Sequence, residues 1–327
     1  MKTEELSLKT MIIFGLLIFV SGCNSGKSDL MGDKTKDGLE GTISISGAFA
    51  LYPLTAIWAE EFQKINPKVR IDISAGGAGK GMADALSGMV DLGMFSRGIT
   101  NAEKEKGCWW IAVTKDAVLP TVNSENPWID QISKHGISRD QFLKIFITGE
   151  TIRWKQVFGN GSEKQINIYT RSDACGAAQM WGEYLGKDQE SLAGVGVFGD
   201  PGMADAVKND VYGIGFNNVI YVYDLKTRRS YEKLEVVPID LNNNGIIDQD
   251  EDFYRTIDEI SSAIKSGKYP SPPARDLYFV SKGKPSDPVI VGFLKWILTE
   301  GQKFVEEAGY VQLANQKIDS ELKKLNP

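Results

Sequence analysis

Three stretches place glycine and other small residues between a β-rich run and an amphipathic one. They are ISISGAFALYPLTAIW at 43–58, IDISAGGAGKGMADAL at 71–86 and NIYTRSDACGAAQMW at 167–181. A strand-to-helix turn of this kind leaves several backbone N–H groups unpaired at the positive end of a helix dipole. Such a cup of donors suits a tetrahedral anion. Arg97, after the short run Asp91–Ser96, and Arg171, inside the third junction, add planar forks of donors that match an oxyanion. One such turn is common in α/β proteins; three with two arginines point to a shared site. A nucleotide P-loop does not fit GGAGKG, because Ser74 stands where the first glycine is required and Gly81 follows the lysine.

A second constellation reads DLNNNGIIDQDE at 240–251. Its spacing matches the calcium loop of EF-hand type, with Asp240, Asn242 and Asn244 at positions one, three and five. Gly245 allows the sharp turn, Ile246 offers its carbonyl, Asp248 takes position nine and Glu251 is placed to bind bidentately. A structural Ca²⁺ is therefore expected, and no organic cofactor.

The composition narrows the rest. The 327 residues carry 37 basic and 43 acidic side chains, a net charge of −6, so nucleic acid is excluded as the main partner. Any anion must be held by local geometry rather than by the field of the whole molecule. His135 is the one histidine, which leaves little material for a His-ligated metal or a Ser–His pair, and an enzyme is not expected. Cys108 and Cys175 could pair outside the cytoplasm, but two distant cysteines do not make a framework.

At the N-terminus, the apolar run Met11–Val20 is followed by Val20-Ser21-Gly22-Cys23. This resembles a bacterial lipoprotein signal, which implies a signal peptide at 1–22, lipidation of Cys23 and a flexible tether at 23–40. The run is too short to span a bilayer comfortably. The mature chain would lie outside the cytoplasm, lipid-anchored to the cell membrane.

Around the junctions, strand candidates are Ile43–Ser46, Val69–Ser74, Ile111–Thr114, Ile166–Thr170, Gly213–Phe216, Val219–Tyr223, Leu234–Pro238 and Leu277–Ser281. Helix candidates are Pro53–Ile65, Met82–Val90, Gly176–Leu185, Asp252–Lys265 and Pro288–Glu306. The alternation implies an α/β fold with mostly parallel sheets.

The segments GAFALYPLTAIWAEEF (47–62), GGAGKGMADALSGMVDLGMFSR (76–97), TRSDACGAAQMW (170–181), GIGFNN (213–218) and YPSPPARDLYFVSKGKP (269–285) together resemble the phosphate-binding proteins of bacterial ABC importers. The resemblance implies a two-lobed periplasmic-binding-protein clamshell (type II-like), monomeric, with an ABC permease complex as delivery partner. Lobe I would hold 41–119 and 275–327, and lobe II would hold 120–274. The anion would meet Ala48, Phe49, Ala50, Gly77, Ala78, Gly79, Ser96 and Arg97 from lobe I. Lobe II would supply Arg171, Asp173, Cys175, Gly176 and Ala177. Several positions where that family carries hydroxyls are Phe49, Ala50, Gly76, Ala78 and Ala177 here. Inorganic phosphate is the first expectation; sulfate, molybdate or tungstate, or an oxyanion-sensing role, are the alternatives.

Overall fold

Two hydrophobic cores form in this chain because two of its strands are long enough to serve both. The computed structural model describes residues 38–159 and 163–326; the expected signal peptide, Cys23 and nearly all of the tether lie outside them. The strands are β1 (Glu40–Gly47), β2 (Lys68–Ala75), β3 (Leu92–Phe95), β4 (Cys108–Val122), β5 (Ile137–Ser138) and β6 (Asn167–Arg171). They continue with β7 (Val195–Val197), β8 (Gly213–Asn218), β9 (Glu235–Val236), β10 (Ile239–Asp240) and β11 (Ala274–Lys282). The main sheet runs β2-β1-β3-β11-β4-β8-β6-β7, with β9 also on β4 and a separate β10–β5 pair.

Pairs within each half of the sheet are parallel, whereas β11 and β4 run antiparallel to their neighbours. The 15-residue β4 pairs with β11 up to Ala117 and with β8 from Val118 onward. On one side of that switch the core gathers Ile43, Leu54, Trp58, Phe62, Phe279 and Phe293. On the other it gathers Phe146, Trp154, Trp181, Phe216, Tyr223 and Ile260. Each large aromatic buried this way stabilises its core by roughly 2–3 kcal/mol.

The helices follow the sequence's periodicity. Tyr52–Ile65 buries Leu54, Thr55, Trp58, Ala59 and Phe62 along one stripe and starts on Pro53, whose fixed φ suits a first turn. Pro288–Leu298 is capped by the Asp287 carboxylate, which accepts from Val289 and Ile290 N–H. The helix Ala78–Ser87 lies against β1 and β3 because both partners are bare backbone. A methyl on Gly81 would stand 2.5 Å from Met94 O and 2.9 Å from the Gly47 Cα.

Several expected boundaries move. Val219–Tyr223 is no strand: Val219–Tyr221 turns as a 3₁₀ segment. The helix expected from Met82 starts at Ala78, so the glycine-rich loop is itself the helix N-terminus. The helix expected from Asp252 starts at Ile257, where Thr256 supplies a cap to Glu259 N–H. The last predicted helix ends at Leu298 and gives way to the 3₁₀ segment Glu300–Phe304. Gly199–Lys208, a helix that begins on glycine and proline, has no counterpart among the expected elements.

Candidate functional site

The three junction loops meet where the two cores face each other. Gly79 N–H donates to Ala174 O at 3.0 Å, tying the second junction to the third. A methyl on Gly77 would lie 2.8 Å from the Asp173 carboxylate, and one on Gly176 would overlap the carbonyl and hydroxyl oxygens of Ser96. From the first junction, the Phe49 ring packs edge-on to Phe198 with centroids 5.8 Å apart and lies 5.8 Å from the Arg171 guanidinium carbon. Tyr221 Oη donates to Phe49 O at 3.0 Å.

Of the residues expected to face an anion, some have spare donors and some do not. Ala48 N–H is spent on Met94 O, Gly77 N–H on Gly47 O, and Gly79 N–H on Ala174 O. Phe49, Ala50, Ala78, Gly176 and Ala177 have no acceptor for their N–H groups among the described residues. They stand in the first-junction turn and in the opening turns of the helices Ala78–Ser87 and Gly176–Tyr184, where helices leave donors over. Ser96, buried, sits against Gly176.

Arg171 is the buried charge of the site, its side chain 1% exposed. Asp173 grips it bidentately, Nε to Oδ1 at 2.8 Å and Nη2 to Oδ2 at 2.7 Å, and Asp200 accepts from Nη1 at 2.8 Å. Burial opposes its charge, but the fields of Asp200 and Asp173 outweigh that and hold the guanidinium protonated. Three of its five N–H donors are used, which leaves two. Asp173 is the partner that orients this arginine, and Gly199 N–H in turn holds Asp173 Oδ1 at 3.1 Å.

Arg97, expected at the anion, is held by its neighbours. Its guanidinium bonds Glu103 at 2.7 and 3.1 Å and Gly98 O at 2.9 Å, and it covers the Phe95 ring. Glu103 is itself placed by its capping box with Thr100. Arg97 also lines a cavity of about 240 Å³ with Gly79, Ala174, Cys175, Gln179 and Gln189, residues of the second and third junctions among them. Cys175 is committed to its own helix. Its sulfur accepts Ala178 N–H at 3.3 Å as the helix cap, and burial pushes its thiol up to about 12. Cys108 and Cys175 are both free.

Sequence reasoning missed the deeper residues. Asp200 bonds Asn218, Asn218 bonds Arg275, and Arg275 Nε donates to Ser96 O at 3.3 Å. Arg275 also stands 3.5 Å from Asp116, an ion pair without hydrogen-bond geometry, since Asp116 Oδ2 has no hydrogen-bond partner. Gln189 bridges the third junction, accepting Cys175 N–H at 3.0 Å and donating to Asp173 O at 2.8 Å. Arg275 and Asn218 lie inside the quoted segments, but nothing in their spacing marks them as buried.

The acidic loop at 240–251 docks on the helix Ile129–His135 through Ile247 N–H to Lys134 O at 2.9 Å and His135 Nδ1 to Gly245 O at 2.7 Å. Asp240 accepts from Asn244 and Gly245 N–H at 3.2 and 2.8 Å, and Gly245 takes φ +82°. The amides of Asn242 and Asn244 converge on Asp248 at 2.8 and 2.9 Å. Glu251, buried, reaches back to Leu241 and Asn242 N–H at 2.9 and 3.1 Å. Among the described residues no three His, Cys, Asp or Glu side chains are gathered closely enough to hold a metal ion, so the loop is drawn together by amides and backbone as much as by carboxylates. Its donor types nonetheless fit a hard cation. A half-turn of either asparagine amide would present oxygen where nitrogen now points.

Two outcomes follow. Gly176→Ala places a methyl against Ser96 backbone, which cannot yield as a side-chain tip would. Closure of the seam is expected to cost about 1–3 kcal/mol, weakening oxyanion affinity roughly five- to hundred-fold in titration calorimetry with little change in Tm. Burial also pushes Asp116 up to about 6, only partly offset by Arg275. Its folded-state value lies above the unfolded one, so the folded protein takes up this proton first as pH falls, and the contribution of this one group to stability rises from pH 7 towards 4.5. Relative to wild type, Asp116→Asn should lose about 2 kcal/mol of that rise, read from paired melts across the range.

Comparisons with known proteins place this geometry. The PBP superfamily domain matches residues 33–300. The chain is 24% identical over 319 residues to the phosphate-binding protein PstS of Staphylococcus haemolyticus, covering 96% of this chain and 94% of that one. It is 25% identical over 307 residues to PstS of Staphylococcus aureus, covering 92% and 84%. Among solved structures, a phosphate ABC transporter substrate-binding protein of Clostridium perfringens, with bound phosphate, superposes at TM-score 0.69 and 22% identity, over 84% of this chain and 100% of that one. An ABC-type phosphate transport receptor of Vibrio cholerae gives 0.61 at 19% identity, over 83% and 100%. With its mixed sheet shared between two cores and its glycine junctions meeting at their seam, the chain belongs to the PBP superfamily and has the two-lobed binding-protein fold.

Proposed function

We propose that this chain is an extracytoplasmic substrate-binding protein that closes its lobes on inorganic phosphate and delivers it to an ABC permease. The observation that carries the reading is the set of unpaired N–H groups on Phe49, Ala50, Ala78, Gly176 and Ala177, brought to one seam with the buried Arg171. Relatives along nearly the whole chain that are named for phosphate support it. In this reading, lobe I is 41–119 with 275–327, lobe II is 120–274, and a lipidated Cys23 tethers a monomer to the membrane. No described helix is long and apolar enough to cross one.

Charge favours phosphate over a fully ionised oxyanion. Arg171 with Asp173 and Asp200 sums to −1, so the monoanion of phosphate meets less repulsion than a dianion such as sulfate, and either protonated form can donate its proton to a nearby acceptor. Calorimetric titration with phosphate, sulfate, molybdate and tungstate tests this directly. Phosphate is expected to bind at least about ten-fold more tightly than sulfate, and Arg171→Ala to abolish binding. Tighter binding of sulfate, molybdate or tungstate would replace phosphate by that ligand, and silence towards all four would remove the oxyanion.

The loop at 240–251 is proposed to take Ca²⁺ through Asp240, Asn242, Asn244, Asp248 and Glu251 with the Ile246 carbonyl, stiffening lobe II. Asp240 and Glu251 are buried carboxylates held by backbone N–H groups, with no ion pair to either among the described residues. A cation would complete their neutralisation. Millimolar Ca²⁺ is expected to raise Tm by a few degrees, and Asp240→Ala to remove that response. An unchanged wild-type Tm would sink the assignment.

A further inference from the structure

We propose that Arg275 is a positioning residue for ligand capture, fixing both Ser96 and Arg171 from the point where the strands cross between the lobes. It rests on the phosphate reading above. Arg275 and Asp116 are register partners on β11 and β4, one residue from the place where β4 leaves β11 for β8. Both are buried, at 6% and 2% exposure.

The pair is poorly built for stability. Arg275 Nη1 and Asp116 Oδ2 are buried without hydrogen-bond partners, and their closest approach, through Nη2, is 3.5 Å. Orphaned polar atoms of this kind destabilise a core, and a well-packed apolar pair would commonly serve it as well or better. The position calls for a guanidinium on other grounds, which its remaining bonds supply.

Arg275 Nε holds the Ser96 carbonyl, the surface on which Gly176 closes. Arg275 Nη2 donates to the side-chain oxygen Oδ1 of Asn218, the Asn218 side-chain Nδ2 donates to Asp200, and Asp200 accepts from Arg171 Nη1. The line ends at Asp173, which grips the other edge of Arg171 and lies against Gly77. Ser96 stands beside the first core and Arg171 beside the second, so one planar cation references donors of both lobes to the crossing strands. The fork geometry matters: lysine keeps the charge but cannot reach two acceptors held at fixed angles.

The test measures phosphate affinity and Tm for Arg275→Lys and Asn218→Ser, each alone and combined with Arg171→Lys. Each single variant is expected to bind phosphate about ten-fold more weakly. Added to Arg171→Lys, either should cost less than about three-fold more, because the guanidinium it positions is gone. A residue that only supports the fold would lower Tm and leave the losses multiplying in full. Should Arg275→Lys fail to fold, Asn218→Ser carries the same comparison. Folded variants within two-fold of wild type, or losses that multiply fully, overturn the proposal. A wild type that binds no phosphate overturns the phosphate reading itself, and this inference with it.

Discussion

A buried guanidinium governs the rest of this molecule. Arg171 is held out of water between Asp173 and Asp200, and burial of such a charge is tolerated only with partners of this kind. The two carboxylates take three of its donors and fix its plane, which leaves two N–H groups with a set direction. An arginine that bound its anion without them would have to be ordered by the ligand itself, at the expense of affinity.

Around that charge, the cup is made of backbone. Among the described residues, five junction N–H groups lack acceptors because they begin helices or line a turn, and glycine at 77, 79 and 176 lets the two halves approach within contact. Amide donors are rigid and uncharged, so they add specificity of shape without adding net charge. The missing hydroxyls at the junctions therefore remove acceptors more than donors. The acidic neighbours of Arg171 restore an acceptor character that the loops lack.

The crossing strands link the cup to the fold. β4 and β11 carry Asp116 and Arg275 side by side at the switch between the cores, and the chain from Arg275 to Arg171 passes through Asn218 and Asp200. A displacement of one lobe against the other is thereby felt at the guanidinium. The calcium-type loop is separate from this, docked on the helix Ile129–His135.

The junctions, the α/β alternation and the position of Arg171 in the third junction are legible along the chain, because turn glycines, helix periodicity and strand composition are local properties. Surplus N–H groups at Ala78, Gly176 and Ala177 were legible in the same way, since any helix start leaves donors over. Only the tertiary structure decided which of them stay free, because the acceptors that claim Ala48, Gly77 and Gly79 come from other elements. It also turned Arg97 onto Glu103 and brought Asp116, Asp200, Asn218 and Arg275 to one place from four distant positions. A charge's partner is set by packing between elements far apart in the chain, and no spacing along the chain encodes it.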